Sequence, residues 1–176
     1  MSLKLNIECL LIAIMLFISL GVVSASVQTF ESDIGTVAID LPYTVAPGEF
    51  SSGSSLSLVK PGTTKPIISI NIWDAAEYNA VYKDLQGFAE SFLGAGQTFD
   101  KMTTNDGKPM LFNFYQEGTD RDGNPNYNFS GYIDDSKGSG KYIVLHAPNN
   151  VIYQGEIIAT YTKEQFASIC KSFIVK

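Results

Sequence analysis

Asp120, Asp122, Asn124 and Asn126 stand at alternate positions, the spacing of the oxygen ligands in a calcium loop. Gly123 falls at the fourth place of that run, where an EF-hand carries its glycine at the sixth, and Gly131 takes the twelfth place, where a bidentate carboxylate belongs. Asp-Gly and Asn-Pro are turn formers in their own right, so a polar hairpin turn is the simpler reading and calcium binding the sharper one. Asp134-Asp135 is a paired carboxylate. Adjacent strand residues face opposite ways, which removes the geometry a glycosidase pair needs, and the pair reads as the solvated end of a hairpin.

The chain has one histidine, His146. It shares strand parity with Tyr142 and Val144 and reads as a strand-end imidazole bonded to a nearby backbone group. Serine or cysteine nucleophiles need an adjacent base, and no serine here lies in a G-x-S-x-G elbow. Cys170 falls on a helical apolar stripe with Phe166 and Phe173, where a thiol behaves as a small hydrophobe. One histidine and one cysteine on different elements do not make a zinc site. No catalytic set, cofactor or metal site is therefore assigned. Asn128-Phe129-Ser130 is an N-glycosylation sequon, with Asn128 as the acceptor, although it falls inside a predicted strand.

The first 25 residues have the build of a secretory leader. Lys4 precedes an uncharged run from Leu10 to Val23, and Val23-Ser24-Ala25 has the small residues of a cleavage site. A membrane anchor is the rival reading, since Cys9 to Ala25 is close to the shortest apolar span of a bilayer. Either way residues 26–176 are expected to be one domain outside the cytoplasm, secreted or held at the cell surface, touching a membrane through the N-terminal segment alone. The chain's two cysteines are Cys9 and Cys170, so cleavage leaves Cys170 unpaired. A net charge of −6 without a basic run argues against nucleic acid as a partner.

The elements that must position these residues follow from periodicity. Val27–Glu31 and Thr36–Leu41 form a hairpin around Asp33-Ile34-Gly35. Strands follow at Ser55–Lys60 and Ile67–Trp73. From Asp84 to Leu93 the period changes to that of a helix, with Leu85, Phe88, Ala89, Phe92 and Leu93 on one stripe between caps at Asp84 and Gly94. Alternation then returns over Gln97–Thr103, Lys108–Glu117, Asn126–Asp134, Lys141–Ala147 and Val151–Tyr161, with hairpin-type connections between the strands. Thr162 and Gln165 form a capping box for a last helix carrying Phe166, Ile169, Cys170 and Phe173. The expected fold class is α+β: one antiparallel sheet of about seven to nine strands with at least two helices packed on it.

Aromatic residues gather late, at Phe112, Phe114, Tyr115, Tyr127, Phe129, Tyr132, Tyr142, Tyr153 and Tyr161. Leu111–Tyr115 and Ile157–Tyr161 carry large groups of both parities. Two readings stand: a layer covers each face of the sheet, or one face shows a Tyr-rich binding patch.

The order of elements resembles the PsbP-like family. The likeness rests on the "DLP" segment Asp40-Leu41-Pro42, "ISINIW" at Ile68–Trp73, the "DLQGFAESF" helix at Asp84–Phe92 and the closing "ICKSFIV" at Ile169–Val175. It implies an α/β/α sandwich acting as a non-catalytic binding or accessory domain, with an unidentified protein or small ligand as partner. The alternatives are a structural or adhesive envelope component self-associating through the Tyr-rich face and a carboxylate-dependent hydrolase.

Overall fold

The computed structural model describes residues 27–48, 54–119, 123 and 125–176. Its centre is a seven-stranded antiparallel sheet. The strands, in chain order, are β3 (Ala46–Pro47), β4 (Ser55–Val59), β5 (Pro66–Asp74), β6 (Asp100–Thr103), β7 (Pro109–Thr119), β8 (Pro125–Asp135) and β9 (Lys141–Pro148). In space they run β3-β4-β5-β9-β8-β7-β6. The run from β6 to β9 is the expected meander. β9 then pairs with β5, placing Trp73 opposite Tyr142 and Ser69 opposite His146.

One face of this sheet is covered by two elements. The first is helix α3 (Lys163–Ser172), started by the predicted capping box: Gln165 N–H donates to Thr162 Oγ1 at 3.1 Å and Thr162 N–H donates to Gln165 Oε1 at 2.9 Å. The second is a three-stranded sheet of β1 (Gln28–Glu31), β2 (Gly35–Ile39) and β12 (Ile174–Val175). Between these layers lie Phe112, Phe129, Ile133, Ile143 and Leu145 from the sheet, Phe166, Ile169, Cys170 and Phe173 at α3, and Val37 and Ile39 from β2. Gly131 lets the helix approach: a Cβ there would lie 2.6 Å from Cys170 Sγ.

The other face carries helices α1 (Ala75–Tyr82) and α2 (Leu85–Leu93). Asp74 and Asp84 cap them, accepting from Ala76 N–H and Gly87 N–H at 2.9 Å each. Phe88 and Ala89 of α2 seat on Leu111, Tyr132, Tyr142 and Val144. Both faces are thus layered, and the fold is the expected α+β class.

Three elements depart from the sequence reading. α1 was not expected, because its apolar residues form no single stripe. Val151–Tyr161 is a hairpin, not one strand: β10 (Asn150–Tyr153) and β11 (Glu156–Thr160) turn at Gln154-Gly155, both at positive φ, 53° and 88°. β12 completes the small sheet beyond the last helix.

Candidate functional site

The register of the main sheet places one polar residue from each of five strands on a single rung. Ser57 of β4 pairs with Ser69 of β5, Ser69 with His146 of β9, His146 with Ser130 of β8, and Ser130 with Asn113 of β7. Residues paired this way share a face. The face is that of α1 and α2, and the rung lies beyond the residues on which those helices seat.

Ser130 is the centre of the rung. It is buried, and its Oγ lies 3.2 Å from His146 Nδ1. The phenols of Tyr115 and Tyr132 interact with the same hydroxyl. Burial holds both phenols above the ordinary tyrosine range. Burial also lowers the pKa of His146 below its ordinary value of 6.5, with the charge of Glu117 partly opposing that shift. The imidazole is therefore neutral near pH 7. Asn113 donates to Thr98 O at 2.6 Å, while its Oδ1 is buried without a partner.

The next rung leads outward. Tyr115 pairs with Asn128, and Asn128 with Pro148. Asn128 Nδ2 donates to Glu117 Oε2 at 2.7 Å. Asn128 and Glu117 then line a groove of about 580 Å³ together with Lys65, Asn150, Ile152 and Ile157. Ile152 and Ile157 pair across the β10–β11 hairpin and are 53% and 63% exposed. Tyr127 joins this groove from β8. It stacks on Phe114 at 4.7 Å, Phe114 on Phe129 at 4.7 Å, and Phe129 on Phe166 at 5.7 Å. An aromatic ladder thus runs from the core out to the groove, and its last two rings, Phe114 and Tyr127, are exposed.

The residues singled out in the sequence fall into separate places. His146 is not at the strand end, since β9 runs on to Pro148, and among the described bonds its ring meets a serine hydroxyl, not the backbone. Cys170 is fully buried, and burial pushes its thiol up. Asp135 is not solvated. It is buried, ion-paired with Lys108 at 3.3 Å, and accepts from Ser139 N–H in the β8–β9 turn. Asp134 faces the opposite way, toward Tyr142. Asn128, the sequon residue, is buried in a central strand with its amide nitrogen on Glu117. Asp120, Asp122 and Asn124 lie outside the described residues, as do residues 1–25. Among the described residues no group of three or more His, Cys, Asp or Glu side chains gathers as a metal site, and no helix is long and apolar enough to cross a membrane.

Ser130 and the Ile152–Ile157 pair escaped the sequence reading. Both depend on register, which links residues far apart in the chain. The alternation Asn126, Asn128, Ser130 within an otherwise aromatic strand is the one trace of the rung visible in the sequence.

No protein-family model matches the chain, and no curated protein does. Among solved structures, the Ran-binding protein Mog1p of Saccharomyces cerevisiae is similar with a TM-score of 0.46 at 10% identity, over 85% of this chain and 96% of that one. A point mutant of Mog1 aligns with a TM-score of 0.38 at 11% identity, over 75% of this chain and 96% of that one. These values mark a partial likeness in shape, and Mog1's binding is not carried across by them. Two expectations are nonetheless corrected. The PsbP-like resemblance is not upheld: no family model matches the chain. The placement outside the cell is likewise not upheld: no comparison supports it, and the N-terminal segment on which it rested lies outside the described residues.

Proposed function

We propose that this chain is a non-catalytic domain that binds a protein partner at the open end of its main sheet. One observation carries the reading. Tyr127, Ile152 and Ile157, three of the large exposed apolar residues, gather at one groove with Lys65, Glu117 and Asn150 in its walls, and a fourth, Phe114, stacks on Tyr127. An apolar centre with a polar rim is the anatomy of a protein interface.

The chemistry beside it argues for binding and against turnover. Ser130 is the one serine set against the histidine in the described bonds. It lies flat in a strand, buried, with two phenols and the imidazole around its oxygen. A substrate carbonyl has no approach to it. Asp106 and Asp135 converge on Lys108, at 3.0 and 3.3 Å, so the two carboxylates are tied to a lysine instead of facing each other across an open site.

The test is capture with the folded domain as bait. The expected result is a partner held by the wild-type protein, lost with Ile157→Asp and kept with Val81→Asp, a substitution on exposed α1. Retention by Ile157→Asp, or no partner at all on a folded bait, would overturn the proposal. Self-association is the second reading, favoured by the exposed Phe114–Tyr127 stack. It predicts a concentration-dependent dimer in light scattering that Phe114→Ser abolishes.

A further inference from the structure

A second surface lies at an edge of the sheet, at β6. Thr104 N–H donates to Lys108 O at 2.9 Å, so Thr104, Met102 and Asp100 direct their backbone groups inward to β7. Lys101 and Thr103 then point theirs outward. Thr103 lies opposite Pro109, which has no N–H to offer, in keeping with that phase. Asn105, next in the outward row, donates its N–H to Lys171 O of α3 at 2.8 Å. Beyond that bond the row is unpaired: β6 is the last strand of the sheet, and no described group takes the outward N–H or C=O of Thr103 or Lys101.

A groove of about 320 Å³ runs beside this edge on the α3 side. Met102 and Ala167 give it an apolar floor beside Ser168, Lys163 and Glu164 stand together at one end, and Lys171 stands at the other. Lys163 is tied to Asp100 at 2.6 Å, whereas Lys171 makes no ion pair with a described residue. In a chain of net charge −6, an unpaired lysine beside unpaired strand groups is a specific feature.

We infer that β6 accepts an extended acidic segment of a partner protein as an added antiparallel strand, with an apolar side chain on Met102 and Ala167 and a carboxylate on Lys171. The spacing fits. Two strand residues advance about 6.6 Å, and Ala167 to Lys171 is about 6 Å along the helix. Lys171 lies at the Asn105 end and Lys163 at the Asp100 end, so α3 runs in the same direction as β6. An antiparallel strand therefore presents its acidic residue first and its apolar residue two positions later. Main-chain bonds give such a strand its hold and the side-chain pockets its specificity. The surface is separate from the groove at Ile152 and Ile157, so either reading can fail alone.

The probe is the peptide Thr-Glu-Thr-Leu-Thr-Val-Thr, and its twin with Lys in place of Glu, titrated against the full chain by amide NMR. Saturable shifts and slowed hydrogen exchange at the Lys101 and Thr103 amides are expected, with the Lys twin weaker by about fivefold, the size of an exposed charge contact reversed. Thr103→Pro removes an outward donor without touching the β6–β7 ladder and should abolish the response. Ala167→Arg fills the groove and should do the same if the proline variant fails to fold. Unmoved Lys101 and Thr103 amides at millimolar peptide, equal binding of the twin, or shifts confined to Ile152 and Ile157 would overturn the proposal. So would a dimer, present without peptide and lost with Thr103→Pro, since the edge would then belong to a second copy.

Discussion

The two faces of the main sheet are made from the same strands and differ in what they hold. Under α3 and the small sheet the contacts are aliphatic and aromatic throughout, from Ile68 and Ile70 across Ile143 and Leu145 to Phe129 and Phe112. Under α1 and α2 the apolar contact stops at Val144, Tyr132 and Leu111. One rung further on, the same three strands carry His146, Ser130 and Asn113. The first face is a core that fixes the fold. The second is half core and half polar floor, and the polar half leads to the groove where exposed apolar groups collect.

The sharpest way to break the comparison is to hollow the first face. Phe166→Ala removes a fully buried ring that touches Phe112, Phe129 and Tyr161 and should cost about 3–5 kcal/mol in urea unfolding. Gly131→Ala acts on the same face by overfilling. The new methyl meets Cys170 Sγ and Cβ, so a loss of about 1–3 kcal/mol is expected, and a smaller loss on adding Cys170→Ala would identify that contact. On the second face, Ser130→Ala strips His146 of its buried hydroxyl partner, with an expected cost of about 1–3 kcal/mol.

The smallest effect is a dependence on pH. His146 in the folded chain has a pKa below the value of 6.5 it takes when unfolded. The unfolded chain therefore binds more protons in that window. The stability tied to a neutral His146 is present in full above pH 6.5 and lost as pH falls through the window beneath it. His146→Gln should flatten that part of the stability–pH curve, measured by chemical unfolding at a series of pH values. An unchanged slope would show that the polar half of the second face is as indifferent to charge as the core.

The sequence reading succeeded where the determinants are local. α2 and α3 follow from four-residue spacing and from caps whose partners lie within three positions, Asp84 with Gly87 and Thr162 with Gln165. The strands from Lys108 onward follow from alternation between turns. α1 escaped because nothing in Ala75–Tyr82 forms a stripe. It is held by its cap at Asp74 and by Trp73 packing edge-on to Tyr78 at 5.4 Å, a contact that needs the sheet beneath it. Gln154-Gly155 was passed over because the residues on both sides keep the pattern of one strand. The candidate site was least legible of all. His146 acquires its neighbours through pairing with β5 and β8, and Ser69 is far from it in the chain. Parity predicted which face His146 would take, but not what stood beside it.

The small sheet has a consequence for how the chain is made. β12 closes on β2, and Ser172 Oγ accepts from Ala38 N–H at 3.0 Å across 134 positions of sequence. On a ribosome Ala38 of the β1–β2 hairpin emerges 134 positions ahead of Ser172, which it bonds. Until that stretch is made, Val37 and Ile39 have no α3 to lie against. The hairpin then stands as an apolar ribbon with an open edge, the form in which nascent strands are most prone to pair with the wrong neighbour.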